Sequence, residues 1–390
     1  MTPAPFSAAS EARFAEFDGV RGVAIALTLL SNTVVVAWDA GAGAKLWIAA
    51  AGAGWIGVQL FFVLSGFLIT GILLEARGEA HYFRNFYARR ALRILPVYVA
   101  TLLAAGAINW AGLNAPTHHP ACYWLFVSNI CIAATGEWDA LLGVTWSLAV
   151  EEQFYILWPF LVAFVAPRRF IHATVAVIVL TFAARFAMLA LGYSAASLYV
   201  LPLTRFDGLA AGALCAALIH RGVEGALLGQ AGRALLAGGC AVMAGVAVAT
   251  HNFNSHEPLV MALGYPGLTA AATGFVLLLA AEPDRGSLWR RGMKWPPLVV
   301  FGFYSYAMYL YHPFIIGGWR ISGLMERWPF SLADGLVGQA AATAITAAGA
   351  FALAWVSWRV MESRLLALRR HFPRKAAING SASPPVAAAA

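Results

Sequence analysis

The amino-acid sequence predicts an all-α, polytopic membrane helical bundle of about ten transmembrane helices plus one re-entrant or short segment. The first observation is composition: 61% of the 390 residues are hydrophobic and 11% are charged, where a soluble domain carries about 25% charged residues. The second is segmentation. Apolar runs recur near 22–38, 55–76, 92–113, 121–134, 148–166, 172–192, 205–219, 234–250, 258–281, 298–318 and 335–358. The third is the placement of charge, because basic residues gather in every second connection between those runs.

The basic connections are marked by Arg13 and Arg21, by Arg77 through Arg93, by Arg168 and Arg169, by Arg221 and Arg233, by Arg285 through Lys294, and by Arg359 through Lys375. The opposite connections hold Lys45, Arg320 and Arg327, while Arg185 and Arg205 fall within or beside runs. By the positive-inside rule both termini are cytoplasmic, provided that 121–134 does not cross. At about 14 residues that run is too short to span unaided. The net charge of +8 is then mostly topology, and nucleic acid is not an expected partner. Membrane lipids are.

Glu11, Glu16 and Asp18 precede the first run in place of a basic n-region and cleavage site, so this segment reads as a retained span. The expected divisions are a cytoplasmic N-terminal segment at 1–17, one membrane domain at 18–366, and a Pro- and Ala-rich disordered cytoplasmic tail at 367–390. Cys122 and Cys131 approach the outer side, Cys215 and Cys240 belong to apolar segments, and none has metal-ligand spacing. Buried unpaired thiols are the expectation for them, with a disulfide as the alternative.

The first run opens at Arg21 and carries Asn32 in its middle, eleven residues on. Eleven residues return a helix to within roughly 20° of one face and about 16 Å along it. A cation at the water boundary thus shares a stripe with an amide deep in the membrane, where polar groups are costly. Interfacial anchoring by Arg21 and helix–helix bonding by Asn32 are the plain alternatives.

The second run, GVQLFFVLSGFLIT, contains Gln59, Ser65 and Gly66. Ser65 and Gly66 read as small residues that let helices approach closely, and Gln59 as a polar residue lining a site. The third begins FYARRALRILPVY, whose Arg89, Arg90 and Arg93 cluster at helical spacings of three and four. They anchor the topology, and their forked donors also suit a cytoplasmic phosphorylated ligand.

The segment TWSLAVEEQFYILWP places Ser147, Glu151 and Glu152 at the start of a long apolar run. Adjacent carboxylates on a helix point about 100° apart, so at most one need face a site. Either could cap the helix, hold a charged partner or carry a proton. In TRFDGLAAGAL, Arg205 and Asp207 read as an ion pair or a helix cap. In FGFYSYAMYLYHPF most aromatics fit an interfacial belt, while His312 is either a functional group or a helix–helix bond.

Together these segments resemble the ordered motifs of the acyltransferase-3 family of integral membrane acyltransferases, which modify cell-surface and exported glycans. DGVRGVA is similar to the family's DGLRGIA, GVQLFFVLSGFLIT to GVDLFFVLSGFLIT, and TWSLAVEEQFYILWP to TWSLSVEEQFYLLWP. FYARRALRILPVY, TRFDGLAAG, SYAMYLYHPF and MESRL follow the family's order between Phe17 and Arg364. The resemblance implies a multi-pass protein of the bacterial inner membrane. It would move an acyl group, acetyl being favoured, from cytoplasmic acyl-CoA to a hydroxyl of a saccharide or lipid-linked glycan, without a metal.

The resemblance also implies that Arg21 opens a motif of arginine, ten intervening residues and an essential histidine. Here the gap is kept and the histidine position is Asn32, while the acidic position of the second motif is Gln59. Histidine could take the acceptor's proton or briefly carry the acyl group; asparagine does neither and keeps only the hydrogen bonding. Losing a general base costs about 100- to 10,000-fold in rate. The expectation is therefore an O-acyltransferase impaired at Asn32, with Arg89, Arg90, Arg93 and Arg21 on the CoA phosphates. Glu151 or Glu152 would orient the reacting groups, and Gln59, Ser147 and His312 would line the substrate. The alternatives are a non-catalytic acyl-CoA-binding relative and a glycan or lipid transporter, although no inverted repeat is visible.

Overall fold

A computed structural model of the chain describes residues 11–33, 51–113, 117–251, 254–281, 287–321 and 336–373. Among them every regular element is helical. The elements are α1 (Glu11–Asn32), α2 (Ile56–Glu75), α3 (Tyr82–Trp110), the short α4 (Pro120–Trp124) and α5 (Ser128–Thr135), and α6 (Thr145–Phe164). They continue with α7 (Pro167–Ala190), the short α8 (Ala195–Val200), α9 (Pro202–His220), α10 (Gly225–Thr250) and α11 (Tyr265–Ala281), which follows a π-turn at Val260–Gly264. The last are the short α12 (Leu288–Met293), α13 (Pro296–Ile321) and α14 (Leu336–Ser357). Eight of the described segments are long and apolar enough to cross a membrane. At 22 and 20 residues, α1 and α6 match them in length and carry the polar motifs. The chain is an all-α polytopic membrane bundle.

Burial ranks the helices. In α2, 72% of the apolar stretch is enclosed, against 22% in α7 and 17% in α10, so α2 is central and those two face outward. Its neighbour α9 approaches backbone to backbone, because a Cβ on Gly66 would lie 1.9 Å from the Leu209 carbonyl oxygen. A second close crossing joins α1 and α13, where a Cβ on Gly302 would lie 1.7 Å from the Asp18 carbonyl oxygen. The shared core runs through Ile25, Phe62, Tyr98, Trp146, Phe154 and Met308, so α1, α2, α3, α6 and α13 meet around one interior.

Several expectations are corrected by the packing. Asn32 is the last residue of α1 and is exposed; residues 34–38 of the expected 22–38 span lie outside the described residues. The helix begins well before the apolar run because Glu16 is neutralised in place: it accepts from Arg290 at 2.9 Å and lies 3.1 Å from Lys294. The 121–134 run does not cross; it folds as α4 and α5, joined through Phe126. Cys122 and Cys131 form a disulfide, contrary to the expectation of free thiols, because this helix pair doubles back and brings their Cα atoms to 6.5 Å. Cys215 and Cys240 are free.

Asp207 pairs with Arg185, not with Arg205. Arg185 on α7 donates to its carboxylate at 3.0 Å, and Thr269 of α11 donates at 2.9 Å. Packing of α9 against both neighbours puts these partners on the Asp207 side. Arg205 is fully buried among the rings of Phe62, Trp146, Tyr199 and Tyr265, at 4.7–5.4 Å from their centroids.

After α14 the chain continues through a π-turn at Trp358–Glu362, a helical turn at Ser363–Ala367 and a 3-10 turn at Leu368–His371, which lies against α3. Residues 1–10 of the expected N-terminal segment, the connections with Lys45, Arg285 and Arg327, and residues 374–390 of the expected tail lie outside the described residues.

Candidate active site

Three cavities adjoin one another through the interior bounded by α1, α2, α3, α6 and α13. The first, the arginine chamber of about 360 Å³, is lined by Arg21, Arg89, Arg90, Arg93 and Arg369, with Asp18 and Glu79 as its carboxylates. Spacing explains the cluster: Arg89, Arg90 and Arg93 occupy neighbouring positions of one helical surface. Arg21 joins them from α1, where it is 3.3 Å from Asp18. Five guanidinium groups against two carboxylates make this chamber strongly electropositive.

The middle chamber, about 110 Å³, shares Arg21, Ser65, Arg90 and Arg93 with the first and adds Ser147, Glu151, Tyr155 and Tyr309. On α6 the lining residues Ser147, Glu151 and Tyr155 recur every four positions, so they form one stripe. Glu152, about 100° away around the helix, does not line it. Tyr155 donates to Glu151 Oε2 at 3.2 Å and exchanges a hydrogen bond with Ser65. Ser147 and Tyr309 are 2.7 Å apart through their hydroxyls.

The third cavity, about 250 Å³, shares Val58 and Tyr309 with the middle one. Its walls include Asn32, Thr28, Asp139 and the rings of Trp55, Trp138, Trp146 and Tyr199. Asn32 donates to the Thr28 carbonyl at 3.0 Å. Behind the wall, His256 packs edge-on to Tyr199 at 5.5 Å, and burial pushes its pKa below the ordinary histidine value.

The structure therefore brings Arg21, Arg89, Arg90, Arg93, Ser147, Glu151 and Asn32 onto one line of cavities, at different depths. Arg90 and Arg93 line two of them, and no described residue accepts a hydrogen bond from either guanidinium. Arg89 is committed locally, donating to the carbonyls of Phe372 at 2.8 Å and Arg369 at 3.3 Å. Gln59 is fully buried away from these cavities, donating to Thr269 at 2.8 Å and reaching Asp207 at 3.5 Å. His312 is also fully enclosed; its Nδ1 lies 2.7 Å from the Tyr309 carbonyl, and it lines none of the three.

Sequence reasoning missed Ser65 as a lining residue, together with Tyr155, Tyr309, Asp139 and the aromatic wall. For Tyr155 a signal existed, since it lies four residues after Glu151 on the same helix. Asp139 and Tyr199 come from separate segments, and nothing local marks them as neighbours of Asn32.

The family described as an acyltransferase domain, acyltransferase-3, matches residues 14–359. The chain is similar to the putative peptidoglycan O-acetyltransferase YrhL of Bacillus subtilis, with 32% identity over 157 residues, 36% of this chain and 22% of that protein. It is similar to the peptidoglycan O-acetyltransferase OatA of Listeria monocytogenes, with 31% identity over 161 residues, 38% of this chain and 24% of that one. An uncharacterized protein of Haemophilus influenzae is 30% identical over 154 residues, 36% of this chain and 62% of that one. The aligned part thus covers about a quarter of each named acetyltransferase. No solved structure matches. With its motifs in order on a helical membrane bundle and a family match over nearly its whole length, the chain belongs to the acyltransferase-3 family.

Proposed function

We propose that the protein is a membrane O-acyltransferase that takes an acyl group from cytoplasmic acyl-CoA and passes it to a hydroxyl of a saccharide or glycolipid. The observation that carries this reading is the line of three cavities, running from an arginine cluster through a narrow waist to an aromatic-walled chamber at Asn32. Uncommitted guanidinium forks at Arg90 and Arg93 suit the phosphates of CoA, with Arg21 beside them. The waist fits a thin arm and not a nucleotide. Flat rings in the last chamber suit the apolar faces of a sugar. Two of the relatives, OatA and the putative enzyme YrhL, carry the name peptidoglycan O-acetyltransferase and favour acetyl as the acyl group and peptidoglycan-type saccharides as the acceptor class.

In this reading the arginine chamber faces the cytoplasm of a bacterial cell, as the basic connections indicate, and both termini lie on that side. The Cys122–Cys131 disulfide fits an oxidising outer side. Arg90 and Arg93 hold the donor, Tyr155 and Glu151 hold the polar group crossing the waist, and the thioester meets the acceptor in the Asn32 chamber. Asn32 orients the reacting groups by hydrogen bonding but does not take up the hydroxyl proton.

The test compares the full-length protein with Asn32→His in lipid nanodiscs, following acetyl-CoA binding and thiol release with N-acetylglucosamine oligosaccharides as acceptor. Expected are equal acetyl-CoA affinity and a rate about 100-fold higher for the histidine variant. Equal rates would remove position 32 from the chemistry. Asn32 also favours a second reading, a non-catalytic acyl-CoA-binding relative, for which binding without turnover in both proteins is the signature.

A further inference from the structure

Acyl transfer to a hydroxyl needs a proton acceptor, and among the described residues no histidine, lysine or arginine lines the Asn32 chamber. Among the described residues its one lining carboxylate is Asp139, whose side chain is 3% exposed. Asp139 Oδ1 is 2.7 Å from the Nδ1 of His118 and accepts the His118 backbone N–H at 3.0 Å. A carboxylate only accepts, so the imidazole carries its proton on Nδ1 and presents the Nε2 lone pair away from Asp139. No described residue bonds Nε2, and the His118 side chain is 49% exposed.

We propose that His118, oriented by Asp139 of the Asn32 chamber's wall, is a general base that supplies the transfer this chain retains. The inference rests on the acyltransferase reading above. His118 Nε2 takes the acceptor hydroxyl proton as the new oxygen–carbonyl-carbon bond forms and the carbon–sulfur bond breaks. The departing CoA thiolate is protonated through solvent while the imidazolium returns its proton there, so the net exchange is an ester and a thiol for an alcohol and a thioester. Asp139 is a positioning residue: it selects the tautomer and stabilises the imidazolium.

Burial separates this pair from an ordinary surface bridge. The Asp139 carboxylate is buried in the wall of the chamber, whereas an exposed bridge has both partners in water. The adjacent pair supplies a contrast: His119 Nε2 lies 3.6 Å from Glu137, both are about half exposed, and the Glu137 carboxylate does not line the chamber.

The experiment measures thiol release from acetyl-CoA with N-acetylglucosamine oligosaccharides for the full-length protein in nanodiscs. It compares His118→Gln, His118→Ala and His119→Gln in the native background, and His118→Gln in the Asn32→His background. Expected is a loss of about tenfold or more for both His118 variants with acetyl-CoA affinity unchanged. Free imidazole should restore His118→Ala, since the site is open, and His119→Gln should match the native rate. With histidine at position 32 the loss on His118→Gln should shrink to less than twofold. Activity of the native protein that survives both His118 variants overturns this inference and leaves the acyltransferase reading standing, as does activity seen only with Asn32→His. A loss that imidazole does not restore, alongside a lowered melting temperature, assigns the pair to structure and also overturns it. Absence of both acetyl-CoA binding and turnover in every variant overturns the acyltransferase reading itself.

Discussion

The Arg90 guanidinium lies 4.9 Å from the ring centroid of Tyr155, whose hydroxyl meets Ser65 and donates to Glu151. A cation from α3, a ring and carboxylate from α6 and a hydroxyl from α2 thereby converge where the arginine chamber narrows into the waist. Stacking fixes the guanidinium plane while leaving its hydrogen-bond donors to a ligand.

Arg90→Ala should weaken acetyl-CoA binding by about 10- to 100-fold, the range for losing a hydrogen bond to a charged group. Arg90→Lys should recover part of it, since lysine keeps the charge and loses the fork. Calorimetric titration of the protein in nanodiscs reads both. Unchanged affinity would place the phosphates elsewhere.

Tyr155→Phe keeps the ring under Arg90 and deletes the hydroxyl that joins Ser65 to Glu151. Acetyl-CoA affinity should hold within about twofold while turnover falls by about 10-fold, as expected when one positioning hydrogen bond is lost. A fall in affinity with constant turnover would make Tyr155 a binding residue only.

Glu16 is buried between Arg290 and Lys294. Glu16→Ala leaves a buried arginine without its carboxylate, a change that costs about 3–5 kcal/mol. The melting temperature in detergent should drop sharply, while the exposed Glu137→Ala should leave it within a degree or two. Equal melting temperatures for both would show that this pair does not hold α1 against α12.

Gly302→Ala inserts a methyl 1.7 Å from the Asp18 carbonyl oxygen and must push α13 off α1. Overpacking of that kind costs about 1–3 kcal/mol. Gly292→Ala, where nothing lies within 4 Å, is the control and should melt normally. The displacement also moves Arg21, so acetyl-CoA affinity should fall in parallel in the first variant alone.

Cys122 and Cys131 are joined across the α4–α5 pair, which the assigned topology puts on the outer side. In intact cells a membrane-impermeant maleimide should label them only after reduction, and should label an added cysteine beside Arg169 not at all. Labelling of the second site without permeabilisation would invert the assigned topology.

The helical bundle was legible in the sequence because hydrocarbon enforces it: a backbone crossing a bilayer must satisfy its own hydrogen bonds, and apolar runs mark where it does so. The arginine cluster was legible too, since it lies within one helix and follows its period, whereas the same period left Glu151 and Glu152 as equal candidates. The edges were less so. Nothing in the sequence pairs Glu16 with Arg290 and Lys294, which lie more than 270 positions away and hold its carboxylate in the packed bundle.

What the sequence by itself determined is therefore local: element type, family motifs and the residues sharing a helical face. Only the tertiary structure decided the partners. It gave Asp207 to Arg185 and closed rings around Arg205, joined Cys122 to Cys131, and turned Glu151 inward while leaving Glu152 aside. It also set Asp139, with His118 upon it, into the wall facing Asn32. The physical reason is range. Helical periodicity relates residues a few positions apart, whereas ion pairs, disulfides and cavity walls join whichever side chains the packing of separate helices leaves in contact.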